Sequence, residues 1–209
     1  MARLAARALA AIALAVVLAD RPAASAQAAA APIARCDTLA AHPADPDRTA
    51  PGLAREAMDL AAAEEACLAA LAAAPVHART RYQLGRTLFY QGRAAEALPH
   101  LEQAARSGYR QGLFVLGLLL EAGNGIASNP CRARDLWRQA AALDHPWSAF
   151  YLLEKEADQR FAACGPGFPE TGRDRLIEIV RTQITLDASR GRVEALLQRI
   201  GQAAAPTAR

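Results

Sequence analysis

The sequence has no apolar stretch long enough to cross a membrane, few aromatic residues and no cluster of lysines and arginines. A membrane-spanning helix needs about 20 apolar residues, whereas the unbroken run from Ala8 to Ala19 has twelve. Aromatics make up only 5% of the chain, so alanine and leucine must build most of the core. Alanine is the best helix former and buries little surface, which suits short, closely packed helices. Without a basic cluster nothing tracks a phosphate backbone, and nucleic acid is not an expected partner. Catalytic signatures are missing too. His42, His77, His100 and His145 are scattered, with no His-Glu-x-x-His and no Gly-x-Ser-x-Gly. Gly123-x-Gly125 lacks the preceding strand and the Gly-Lys-Ser/Thr tail of a phosphate loop. Glu64-Glu65 and Asp45/Asp47 read as solvated acidic pairs with nothing nearby to raise a pKa. The expectation is a protein that is not an enzyme, with no catalytic residue, no metal and no cofactor.

The N-terminus has the three-part layout of a secretory signal. Arg3 and Arg7 precede the apolar run, Asp20 and Arg21 end it, and Ala24-Ser25-Ala26 offers small residues for cleavage before Gln27. Residues 1–26 are therefore expected to be removed, leaving a periplasmic or secreted chain with no stable membrane insertion. The remainder carries 21 basic and 20 acidic residues, so much of the overall basicity lies in the discarded segment. An even set of four cysteines, Cys36, Cys67, Cys131 and Cys164, in an exported chain reads as two disulfides. Three pairings are possible. Locality favours Cys36–Cys67 and Cys131–Cys164, each stabilising by about 3–4 kcal/mol in the chain-entropy model. Zinc is the rival reading, and the spacing argues against it, since there is no Cys-x-x-Cys pair and no closely spaced histidine ligand.

Residues 27–57, with Pro43, Pro46 and Pro51, read as an extended lead-in with a helical turn near Thr38 to Ala41. Helical periodicity starts at Met58, where Leu60, Ala63, Cys67, Ala70 and Leu71 share a face until Pro75. Further helices are expected from Arg79 to Gln91, Ala94 to Ser107, Gln111 to Ala122, Pro130 to Leu143 and Pro146 to about Phe161, punctuated by Gly92, Gly108 and Gly123-Asn124-Gly125. Pro99 sits inside the third of these six, so that helix should start late or bend. After the loop Gly165-Pro166-Gly167-Phe168-Pro169, Asp174 to Gln202 is helical by pattern, with some strand character around Ile177 to Leu186 and a break expected at Gly191. Residues 58–163 form the expected repeat region, and residues 164–209 a loop, a helical cap and a disordered tail.

The helices repeat. Leu84-Gly85 recurs as Leu116-Gly117, Ala97 as Ala133, Leu101 as Trp137 and Ala104-Ala105 as Ala140-Ala141. Ala149-Phe150-Tyr151-Leu152-Leu153 repeats the apolar order of Gly112-Leu113-Phe114-Val115-Leu116. Over residues 58–155 the chain resembles tetratricopeptide and Sel1-like repeats. Leu84, Gly85, Gly92, Ala97, Leu101 and Ala104 follow the tetratricopeptide order, with Arg81 where its tryptophan stands and Tyr109 where its closing proline stands. Leu116-Gly117, Gly123-x-Gly125-Ile126, Asn129, Ala133 and Ala140-Ala141 look like Sel1, and Ala63, Cys67, Ala70 and Pro75 like the second helix of an earlier half-unit. The resemblance implies an all-α fold, a right-handed stack of antiparallel helix hairpins forming a short α-solenoid. It also implies a protein or peptide partner.

In tetratricopeptide folds the first helix of each hairpin lines the inner surface. By that register Tyr82, Phe114 and Tyr151 form a row, flanked by Arg86 and Lys155, suited to an extended peptide carrying a carboxylate or acidic side chains. The competing reading makes the three rings core, packed against neighbouring helices. Arg86 is expected to be exposed in either case.

Overall fold

The computed structural model describes residues 21–204 apart from Phe168 and Leu186. Within them the chain forms nine α-helices and no strand. They are α1 (Arg21–Ala40), α2 (Leu60–Ala73), α3 (Ala78–Tyr90), α4 (Ala94–Arg106), α5 (Arg110–Ala122), α6 (Pro130–Ala142), α7 (Pro146–Ala157), α8 (Glu170–Gln183) and α9 (Asp187–Ala204). Each packs on its predecessor, while α3 also reaches α1 and α5, and α9 reaches α7. Odd-numbered helices form one layer and even-numbered helices the other, in a short solenoid of antiparallel pairs. None is long and apolar enough to cross a membrane. Residues 1–20, which carry most of the expected signal, lie outside the described residues, as do residues 205–209 of the expected tail.

Local chemistry sets the boundaries. Asp59 caps α2 by accepting from Ala62 N at 3.0 Å, and Asn129 caps α6 by accepting from Arg132 N at 3.0 Å, with Pro130 at the first helical position. Helix α3 stops at Gly92, whose φ of 81° allows Arg93 N to return to Leu88 O at 3.0 Å. Pro99 lies within α4, which runs unbroken from Ala94 and does not start late. The Leu-Gly pairs mark where two axes approach. A Cβ on Gly85 would lie 2.8 Å from Leu101 Cδ2. One on Gly117 would overlap the indole of Trp137, the residue equivalent to Leu101 in the next unit.

Two expectations are corrected. Residues 27–40 are not an extended lead-in, because the alanine-rich segment continues as α1 through Pro32. Alanine's helix propensity and packing against α2 outweigh the single lost hydrogen bond. Helix α1 is thus the partner that the half-unit around Cys67 lacked. In the cap the helical pattern breaks at Ile184 and Thr185, not at Gly191, which lies inside α9. The β-branched Ile184 and Thr185 sit at the turn, and no strand forms among the described residues there.

Both expected disulfides are present, Cys36–Cys67 and Cys131–Cys164. The first joins α1 to α2, and the second ties the start of α6 to the turn after α7. The core divides in character. Around Cys36–Cys67 it consists largely of alanines with Leu84 and Leu88, whereas α5 to α9 enclose Trp137, Phe150, Phe161, Leu152, Ile179 and Val193.

Candidate functional site

The odd-numbered layer carries a groove of about 620 Å³ along α3, α5 and α7. Tyr82, Arg86, Phe114 and Tyr151 all contribute to its wall, together with Phe89, Tyr90, Leu118 and Trp147. Lys155 does not; it is half-buried one turn beyond Tyr151, with Nζ 3.7 Å from Glu154. The register argument therefore brought four of its five residues together.

Their environments favour the core reading for most of the row. Tyr82 has no exposed surface and Phe114 only 7%, and their rings pack on Tyr109 and His145. Tyr151 is half-buried between Phe114 and Trp137, with centroids at 5.7 and 5.3 Å. A chain of polar groups supports this floor. His145 Nδ1 accepts from Ser148 N at 3.1 Å as the cap of α7. Its Nε2–H is then free to donate to Gln111 Oε1 at 2.7 Å, and Gln111 Nε2 donates to Tyr82 OH at 3.3 Å. Burial, reinforced by Arg110, holds the His145 pKa down at about 3, so the ring is a neutral structural group. Burial likewise drives the Tyr82 hydroxyl above its usual range.

Arg86 is not exposed as expected; only 3% of it reaches solvent. The loop of residues 41–53 lies over it. Arg86 donates from Nη1 to Ala40 O and Ala41 O at 2.9 Å and from Nη2 to Leu53 O at 2.5 Å. The loop closes on itself through Leu53 N to Ala41 O at 2.9 Å. Gly52 is required there, because its φ is 83° and a Cβ would lie 2.6 Å from Pro43 N. Compact loops of this kind frequently carry function. This one places His42 and Ala44 on the groove wall. Burial, and then the Arg86 charge, depress the His42 pKa to about 4.

The loop is pinned elsewhere by residues that sequence reasoning passed over. Asp37 accepts both arms of Arg79 at 2.8 and 2.9 Å, Gln83 Nε2 at 2.8 Å and Thr49 Oγ1 at 2.6 Å. Burial alone would raise its pKa, but these donors together hold it below the usual carboxylate range. Asp45 is not part of a solvated pair. It is fully buried, accepts from Tyr109 OH at 2.5 Å and has its pKa raised by burial. Asp47 holds Arg110 through two contacts of 2.8 Å, and Arg110 continues to Leu143 O at 2.8 Å. The one sequence hint was the placing of Asp45 between Pro43 and Pro46, a stiff segment that restrains a carboxylate.

The remaining charged lining residues sit at the groove edge. Glu121 accepts from Arg160 Nε at 3.0 Å. Arg192, from α9, lies over Phe150 with its guanidinium carbon 4.9 Å from the ring centroid and its nearest carboxylate oxygen, on Glu154, 3.7 Å away. Among the described residues no group of three or more metal-ligating side chains is assembled. No family model matches the chain, and no curated protein is significantly similar to it.

Proposed function

We propose that this protein is a non-catalytic helical-repeat module of the tetratricopeptide and Sel1-like kind, exported to the periplasm, that binds a protein partner through the groove of α3, α5 and α7. The groove carries the reading. A concave, largely apolar groove with a volume of about 620 Å³, lined by aromatic side chains from α3, α5 and α7, suits an extended polypeptide. The histidines and carboxylates around it are engaged in a helix cap, hydrogen bonds and ion pairs, which leaves no acid–base pair poised for chemistry among the described residues. The two disulfides fit an oxidising, non-cytoplasmic compartment, and the N-terminal pattern fits delivery through a cleaved signal.

The test blocks the groove without emptying the core. Val115 and Leu118 are only half-buried and line the groove. Val115→Arg with Leu118→Arg should leave the helical content intact and abolish capture of the partner from periplasmic extract. Capture that survives the double substitution places the binding surface elsewhere.

A further inference from the structure

A second concave surface lies at the C-terminal end of the solenoid. In each earlier hairpin an odd-numbered helix is covered by the even-numbered helix that follows it, α1 by α2, α3 by α4, α5 by α6 and α7 by α8. Helix α9 has no such cover among the described residues, and a furrow runs between it and α8. Two hollows of about 420 and 150 Å³ make up this furrow, joined where both touch Arg181 and Leu197. Ile177, Ile184 and Leu197 line it and are only half-buried. It shares no residue with the groove of α3, α5 and α7.

The charges along α8 distinguish between possible occupants. Asp174 and Arg181 are both exposed, and neither forms an ion pair among the described residues. Their neighbours are engaged within the chain, Arg175 by Asp144 at 2.7 Å and Arg173 by Ile200 O at 3.1 Å. Asp174 and Arg181 stand seven residues apart, two turns or about 10 Å along the helix, and Ile177 lies between them on the same wall. Turned end over end, that wall presents a negative charge where it presented a positive one. A second α8 laid antiparallel across Ile177 therefore sets Asp174 of each copy against Arg181 of the other. An acidic peptide would satisfy Arg181 but face Asp174 and the exposed Glu194 across the furrow. A basic peptide would be repelled by Arg181. A two-fold interface needs this kind of self-complementarity, because the same patch serves both subunits.

We propose that the furrow of α8 and α9 is an interface between two copies of this chain. The two-fold axis passes near Ile177, the half-buried Ile177, Ile184 and Leu197 are covered, and Asp174 pairs with Arg181 in both directions. Since the furrow and the groove have no lining residue in common, dimerisation leaves both grooves open.

Sedimentation equilibrium of the oxidised protein at micromolar concentrations should show a reversible monomer–dimer equilibrium. Arg181→Glu places two acids at each contact and should weaken association at least ~10-fold. Asp174→Arg should do the same with two cations. The double variant Asp174→Arg with Arg181→Glu restores opposite charges across the axis and should recover the dimer. Circular dichroism should report unchanged helical content in all three, because both positions are exposed. A protein that stays monomeric throughout this range overturns the proposal. A dimer indifferent to both single reversals overturns it as well. A double variant that associates no better than the single ones does so too, since Asp174 and Arg181 then do not meet across an axis.

Discussion

The two ends of the solenoid are stabilised by different means. At the N-terminal end, α1 to α3 enclose a core around Cys36–Cys67 in which alanines are half of the buried residues and both cysteines are fully buried. Small side chains remove little apolar area from water, and the difference is made up by the disulfide and by polar fastenings through Asp37, Arg79, Arg86 and Tyr109. At the C-terminal end, α5 to α9 pack around Trp137 and Phe150, and Cys131–Cys164 lies half-exposed at the edge of that core. Apolar burial is non-directional and tolerates exchange, whereas a buried ion pair fails when one partner is removed. The N-terminal end should therefore respond to single polar substitutions, to pH and to its own disulfide. The C-terminal end should respond to loss of volume.

The largest effect expected is at the aromatic end. Trp137→Ala should cost about 3–5 kcal/mol, read from denaturant midpoints, because it empties a fully buried site between Gly117, Tyr151 and Phe161. A loss below about 1 kcal/mol would mean that the C-terminal core does not depend on volume. Next come the disulfides, whose loops of 31 and 33 residues are nearly equal. Chain entropy alone assigns each about 3–4 kcal/mol, so access should separate them. Mild reductant should open Cys131–Cys164 first, and Cys36–Cys67 should resist until the N-terminal end unfolds. Peptide mapping after timed alkylation would show the order, and the reverse order would break the contrast.

Acidification comes next, with an effect concentrated around the loop. His42 and His145 have folded pKa values of about 4 and 3, below the ordinary 6.5. Between those values the unfolded chain binds more protons, so stability is fully present above the ordinary value and declines as pH falls. Asp37 adds a loss of the same sign further down, while Asp45, with its raised pKa, opposes it. Each histidine shift alone would cost about 3 kcal/mol between pH 7 and pH 4, and the opposing change at Asp45 leaves the net loss below their sum. It should appear first as faster amide exchange in residues 41–53, and uniform loosening of both ends would argue against a local cause. The smallest effect is at Lys155. Its replacement by alanine should shift stability by no more than about 0.5 kcal/mol and leave groove binding unchanged, because it lies outside the groove beside Glu154.

Helix boundaries were legible wherever a cap or breaker marked them. Gly92, Gly108, Pro130 and Pro146 each stand at the edge of the helix expected from them, and the helix whose period was read from Met58 starts at Leu60 behind the Asp59 cap. The break at Ile184 and Thr185 had no glycine or proline to announce it, and Gly191 was a misleading signal because an interior glycine costs only about 1 kcal/mol where packing holds the helix. Within the candidate site, the shared register of Tyr82, Phe114 and Tyr151 was readable because repeats place equivalent residues in rows. The burial of Arg86 was not, since it depends on carbonyl oxygens 33 to 46 residues away.

The sequence by itself determined what short-range chemistry controls. It specified the helices with their caps, the repeat spacing that brings Gly85 under Leu101 and Gly117 under Trp137, and cysteines close enough along the chain for local pairing. Only the tertiary structure decided that the alanine-rich segment would pair with α2 as the opening helix, and that the proline-containing loop would fold back over the groove instead of trailing away. That loop is held by Arg86, Tyr109 and Arg110, which meet it across 33 to 64 residues of chain. Contacts of such separation leave no periodicity in the sequence, because each becomes favourable only after the solenoid has brought its two partners together.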